Sequence, residues 1–234
     1  MKKTSLTALL LFFTALPLWA QHPGALLPGY PGTPVQGYFQ PVKIYGPEGT
    51  KVAFADAGKF VERKETPYAV GLQLSADYRL RVTDIPLHPG MEVFPTVKII
   101  GRTFPPQGLE LEFPIQIEIT QEDLELAIDG KFVTRVIYLE DPQNAIPVAA
   151  KPESPITFDV GGAADPLNVA QTLGRPVAIV RIGGRVPDLN YVDPAFFHGF
   201  PAWIAFEKTT QGIVMTRYET AQRPNGTPGG VYRF

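Results

Sequence analysis

The chain has no cysteine in 234 residues. That excludes disulfides, a thiol nucleophile, a cysteine metal site and lipid attachment at a cysteine. Serine is almost as scarce, with Ser5, Ser75 and Ser154 the whole supply. There is no G-x-S-x-G elbow to expose one of them as a nucleophile. The histidines His22, His88 and His198 show neither HxH nor HExxH spacing, so no metal site is expected. An excess of positive charge is missing too. With 21 basic and 23 acidic side chains the net charge is −2 and no basic cluster occurs, so no nucleic-acid partner is expected. Gly161-Gly162 and Gly183-Gly184 lack the GK[ST] or GxGxxG context of a phosphate loop. No EF-hand calcium loop is present, and no cofactor is expected.

Long apolar runs are also absent, apart from one at residues 6–18. It follows Lys2 and Lys3 and leads to Ala20, the order of charge, apolar run and small residue that marks a cleavable secretory signal. At about 13 residues it is short for a membrane-spanning helix, which needs about 20. Residues 1–20 are therefore expected to be a signal peptide, and the remaining 214 residues to carry 19 basic against 23 acidic side chains. The expected location is outside the cytoplasm: periplasmic, envelope-associated or secreted. No transmembrane segment is expected after cleavage.

What the sequence has in quantity is proline and glycine. The 25 prolines and 22 glycines make up a fifth of the chain, against about 12% in average proteins. Many short strands joined by tight turns fit that composition. Pro23, Pro28, Pro31, Pro34 and Pro41 alternate with glycines, so residues 21–41 read as a linker. A second Pro-rich stretch at 141–157 reads as a loop or linker.

Between these stretches the hydrophobic period is 2. Val70, Leu72, Leu74, Ala76, Tyr78, Leu80 and Val82 alternate with polar residues, with a break expected at 75–77. Residues 93–100 read as a strand, and Pro95 suggests an edge. Residues 109–119 show the cleanest alternation, with Pro114 suggesting another edge. Thr120 and Asp123 have capping-box spacing for a short helix that Gly130 stops. Asp165, Pro166 and Gly174 frame a second helix. Residues 132–139 and 177–182 read as strands, and 203–206 with 213–218 as a hairpin. The expected fold is mainly β: an antiparallel β-sandwich, Ig-like in the broad sense, over 42–140. Two short helices accompany it, with a smaller C-terminal α+β region over 158–234.

The terminal residues Val231, Tyr232, Arg233 and Phe234 resemble the closing strand of an outer-membrane barrel. However, Pro224, Pro228 and the interior prolines interrupt the long strands a barrel needs.

Two groups of residues are candidates for function. Tyr191, Phe196, Phe197 and Trp203 lie in an aromatic stretch and suit a contact surface for sugar or protein. Aromatics are more often buried than displayed, which favours their filling a small core under a loop. Glu140 with Asp141, and Asp159, Asp165, Asp188 and Asp193, are the carboxylates available for glycosidase-type chemistry. Acids in such places also cap turns and keep surfaces wet. No catalytic residue, cofactor-binding residue or metal ligand is assigned.

Three stretches, YRLRVTDIPLHPGMEVFPTVKII, FPIQIEITQEDLELAIDGKFVTRVIYLEDPQNAIPVA and DPLNVAQTLGRPVAIVRIGGRVPD, lie across about residues 78–187, a span of about half the chain. Over them the sequence resembles a group of uncharacterised exported bacterial proteins. The resemblance implies export and carries over no activity, cofactor or site residue. The functional expectation is an exported, non-catalytic module that binds an envelope protein or a glycan. Its rivals are a carboxylate-dependent hydrolase of polysaccharide and a self-assembling structural component of the envelope.

Overall fold

The computed structural model describes residues 38–141, 143, 157, 159–162, 164–188, 190–209, 212–218 and 231–232. The expected signal peptide, His22, most of the linker, Ser154 and nearly all of the second Pro-rich stretch fall outside them. The strands are β1 (Gln40–Tyr45), β2 (Lys51–Asp56), β3 (Lys59–Phe60), β4 (Lys64–Glu65), β5 (Tyr68–Leu72), β6 (Asp77–Thr83), β7 (Thr96–Ile99) and β8 (Ile115–Glu118). Helix α1 (Gln121–Ile128) and β9 (Val133–Glu140) follow. Helix α2 (Pro166–Leu173), β10 (Gly174–Ile182), β11 (Trp203–Thr209), β12 (Gly212–Tyr218) and β13 (Val231–Tyr232) complete the order.

Among the described residues these strands form two sheets. One runs β13-β12-β11-β5-β1-β8, and the other β3-β2-β6-β7-β10-β9 with β4 also on β2. All pairings are antiparallel except that of β1 with β8, where Val42 lies opposite Ile115 and Ile44 opposite Ile117. The protein is a mainly β sandwich with two helices, as its alternating patterns predict.

Period-2 alternation fixes which residues meet in the middle. Val42 and Ile44 of β1, Val70 and Leu72 of β5, and Ile115 and Ile117 of β8 face Phe54, Leu80, Val97, Ile99, Val180 and Ile182 of the other sheet in one buried cluster. A fully buried aliphatic or aromatic side chain of this kind contributes about 1.5–3 kcal/mol. Helix α1 adds Leu124 and Ala127 to the same core. Its capping box is complete, with Thr120 Oγ1 accepting from Asp123 N at 3.1 Å and the Asp123 carboxylate accepting from Thr120 N at 3.1 Å.

Several expectations need correction. The expected linker ends early, because β1 starts at Gln40. The α+β region expected over 158–234 is built into both sheets: β10 pairs with β7 and β9, while β11 pairs with β5. The described residues belong to one compact unit. Strand β7 lies inside its sheet between β6 and β10 rather than at an edge, since Pro95 precedes the strand. The long strand expected over 109–119 shrinks to Ile115–Glu118. Residues 109–113 turn instead, with Glu112 N donating to Leu109 O at 3.0 Å. Pro114, with no N–H to donate, marks where pairing begins.

Among the described residues no helix is long and apolar enough to cross a membrane.

Candidate functional site

The aromatic stretch forms a second, smaller core. Phe196 and Phe197 are buried with Ala55 and Phe94, and Phe60 and Phe200 pack against them. This cluster lies on the outer face of the second sheet, because Phe54 and Leu80 point inward and their neighbours Ala55 and Arg79 point out. Arg79 ties it down. Its Nε donates to Phe196 O at 3.0 Å and its Nη1 to Phe94 O at 2.8 Å, with the guanidinium 4.6 Å from the Phe196 ring centre. Burial, with Arg185 nearby as a second cause, pushes the Arg79 guanidinium down to about 10. It remains charged at neutral pH, solvated by two carbonyls.

Trp203 belongs to the main core. It stacks on Tyr218 at 4.1 Å and donates from Nε1 to Ala55 O at 3.1 Å. Of the four aromatic candidates only Tyr191, 65% exposed, is on the surface. Phe196, Phe197 and Trp203 are walled in and offer no contact surface.

The carboxylate candidates are scattered, and most are used locally. Asp165 accepts from Leu167 N, Asp188 from Asn190 N and Asp193 from Ala195 N, each at 2.8–3.0 Å. Asp193 also pairs with Arg185 at 3.3 Å. Glu140 and Asp141 line a shallow depression with Gln171, Thr172, Gly174 and Arg175, between the ends of β9 and α2. Asp141 Oδ1 accepts from Gln143 N there. Asp159 is exposed and adds to the field holding the proton on Arg135.

Among the described residues the fully buried carboxylate is Asp123, which sequence reasoning identified only as a helix cap. Arg135 Nε meets its two oxygens at 2.7 and 2.9 Å. Burial raises the neighbouring Glu118 carboxyl above its ordinary range; Arg135 opposes this and Asp123 adds to it. His88 lies 3.7 Å from Glu125, and His198 Nε2 lies 3.3 Å from Thr96 Oγ1. Among the described residues no three His, Cys, Asp or Glu side chains are arranged to hold a metal.

One further cluster gathers two guanidinium groups on one aromatic ring. At the end of the sandwich where β1 and β10 begin and β7 stops, Arg102 lies 3.7 Å from the Tyr38 ring centre and 5.5 Å from that of Phe104. Arg175 lies 5.2 Å from the same Phe104 ring centre. Phe104 is 60% exposed. Neither guanidinium forms an ion pair or hydrogen bond with a described residue. Arg102 Nε and Arg175 Nη1 are shut off from solvent without a partner. Burial lowers the Arg175 guanidinium from its ordinary value, with no acid offsetting it.

The backbone around this cluster is fixed from two sides. Gln40, fully buried, donates from Nε2 to Thr103 Oγ1 at 2.8 Å and to Pro41 O at 3.0 Å. Its Oε1 accepts from Thr103 N at 3.0 Å and from the Tyr38 hydroxyl at 3.1 Å. On the other side, Ile100 N and Gly101 N both donate to Val177 O. The approach is so close that a Cβ on Gly101 would sit 2.8 Å from Pro176 O. Sequence reasoning missed this cluster. The one local signal was an arginine and an aromatic two residues apart, Arg102 and Phe104.

No protein-family model, curated protein or solved structure matches the chain.

Proposed function

We propose that the chain is an exported, non-catalytic binding module of the cell envelope or the extracellular space. Its partner, a glycan or a protein, meets the end of the sandwich that carries Phe104. The observation that carries this reading is the pair of uncompensated guanidinium groups on an exposed ring. Buried or half-buried donors are normally partnered, and two guanidinium groups that no acid meets are suited to a ligand that supplies an anion. The Gln40 and Gly101 anchors support the same reading, since a site held in place before binding loses little entropy on binding.

The test is in-cell photo-cross-linking with a reactive residue in place of Phe104, followed by mass spectrometry. Capture of one dominant envelope protein or glycan is expected, with no capture when the reactive residue replaces exposed Tyr191. Capture of this chain alone moves the assignment to a self-assembling envelope component. Export is checked by fractionating cells that express the chain with and without residues 1–20.

A carboxylate-dependent hydrolase is the second reading, favoured by the shared depression of Glu140 and Asp141. It predicts release of reducing sugar from a polysaccharide that is abolished by Glu140→Gln.

A further inference from the structure

We infer that the Arg102, Phe104 and Arg175 cluster binds an acidic polysaccharide, with the guanidinium groups taking its oxyanions and the exposed ring packing on a sugar face. This rests on the binding-module reading and narrows the partner to one chemical class.

The argument starts from a contrast. Arg63 pairs with Asp84, Arg81 with Glu92, Arg135 with Asp123, Arg181 with Asp77 and Arg185 with Asp193. Arg79 is solvated by two carbonyls. Arg102 and Arg175 have neither kind of partner among the described residues, yet they are gathered on one ring. Both lie within 5.5 Å of the Phe104 centre. The negative faces of Phe104 and Tyr38 balance only part of each charge, and an oxyanion beside either guanidinium would balance the rest.

The chemistry of the donors narrows the ligand further. Each guanidinium offers a planar fork that matches a carboxylate or phosphate in two parallel hydrogen bonds. The flat, exposed Phe104 ring offers apolar area at little entropic cost. A ligand that satisfies all three groups carries spaced anions on an extended frame with apolar faces, as an acidic polysaccharide does. The surroundings favour a narrow ligand. Glu140 and Asp141 line the same depression as Arg175 and would repel a broad acidic surface. A folded protein partner would cover about 800 Å² on each side, which would bring those two acids into the contact. A single sugar chain can track over the arginines alone.

The test is calorimetric titration of the full mature chain with polygalacturonate, poly(glycerol phosphate) and methyl-esterified polygalacturonate. Binding to at least one of the two acidic polymers is expected, the pair distinguishing carboxylate from phosphate. The esterified polymer should bind about tenfold more weakly or not at all, and raising the salt should weaken the acidic complex. The double variant Arg102→Gln, Arg175→Gln should lose about tenfold or more in affinity, and Phe104→Ala about threefold, with melting temperatures unchanged. Arg102→Lys with Arg175→Lys keeps the charge and loses the fork. It should fall between wild type and the glutamine variant, and it decides the matter if that variant does not fold.

Equal binding of the esterified polymer, binding to neither acidic polymer, or an undiminished glutamine variant would overturn the inference. If cross-linking at position 104 still captures a partner in the glutamine variant, the binding module survives and the acidic-glycan assignment falls.

Discussion

Arg79 donates a hydrogen bond to the backbone carbonyl of Phe196, a residue 117 positions further along the chain. That bond, with the one to Phe94 O, fastens the loop between β10 and β11 onto the outer face of the second sheet. The loop therefore depends on a buried cation for its position, and the small aromatic core beneath it depends on the loop.

Replacing Arg79 by methionine should cost about 2–6 kcal/mol, because two buried carbonyls lose their donors and each unmet acceptor costs about 1–3 kcal/mol. Arg79→Lys should recover only part of this, since an ammonium on a flexible stem cannot reproduce the guanidinium fork. Urea denaturation gives the cost. Limited proteolysis should show faster cleavage within residues 183–200 in the methionine variant, and an unchanged urea midpoint would mean the loop is held by something else.

His198 gives the same region a dependence on pH. Burial is the main cause that lowers its pKa, with Arg79 next and Arg185 and Lys98 adding to it, while Asp77 opposes them. The folded state thus binds a proton less readily than the unfolded chain, whose histidine titrates near 6.5. Stability should be intact above that value and fall as the pH drops below it. His198→Asn removes the titrating ring and keeps a residue that tolerates the left-handed backbone found here, φ 56°. Thermal melts at pH 7.5 and 5.5 should show a smaller loss for the variant than for wild type. An equal loss would place the acid sensitivity elsewhere.

What was legible in the sequence was what is decided locally. The alternation through 70–82 and its break gave β5 and β6. Thr120 with Asp123, and Asp165 with Pro166 and Gly174, gave both helices, because caps are set by residues within a turn of each other. The same alternation misled at 109–113, where no strand among the described residues pairs to reward it and Leu109 and Phe113 stay 43% and 52% exposed. Phe196 and Phe197 fill the small core that their apolar character favours, but nothing nearby in sequence announces that Arg79, Phe60 and Phe94 will cover them. The Arg102 and Arg175 pair was illegible for the same reason. It is assembled by the pairing of β7 with β10, where Ile99 lies opposite Ala178, and by the Gln40 clamp on Thr103.

The Asp123 and Arg135 pair joins α1 to β9 and should respond unequally to two substitutions. Asp123→Ala removes both the cap and the partner of a half-buried cation, a change that costs about 3–5 kcal/mol in buried pairs. Arg135 is 27% exposed and can turn toward water, so the lower figure is expected. Asp123→Asn keeps an acceptor for Thr120 N and should cost less, about 1–2 kcal/mol. Chemical denaturation of the two variants side by side measures the difference. Equal costs would show that the cap contributes little beyond the charge.

Trp203 tests whether the C-terminal strands belong to the sandwich. The chain has two tryptophans, Trp19 and Trp203, and removal of residues 1–20 would leave Trp203 as the single reporter. Its backbone pairs with Leu72 of β5, while its indole reaches Ala55 of the opposite sheet. It is 1% exposed, so its emission should be blue-shifted and protected from iodide. Because β10 and β11 are stitched into both sheets, unfolding followed by Trp203 fluorescence should coincide with unfolding followed by far-UV circular dichroism, in one transition. Trp203→Phe keeps a ring in the core and loses the indole hydrogen bond, so it should lower stability by about 1–2 kcal/mol without splitting the transition. If residues 158–234 folded as a unit of their own, the fluorescence change would separate from the circular dichroism change. The shared-sheet architecture would then have to be abandoned.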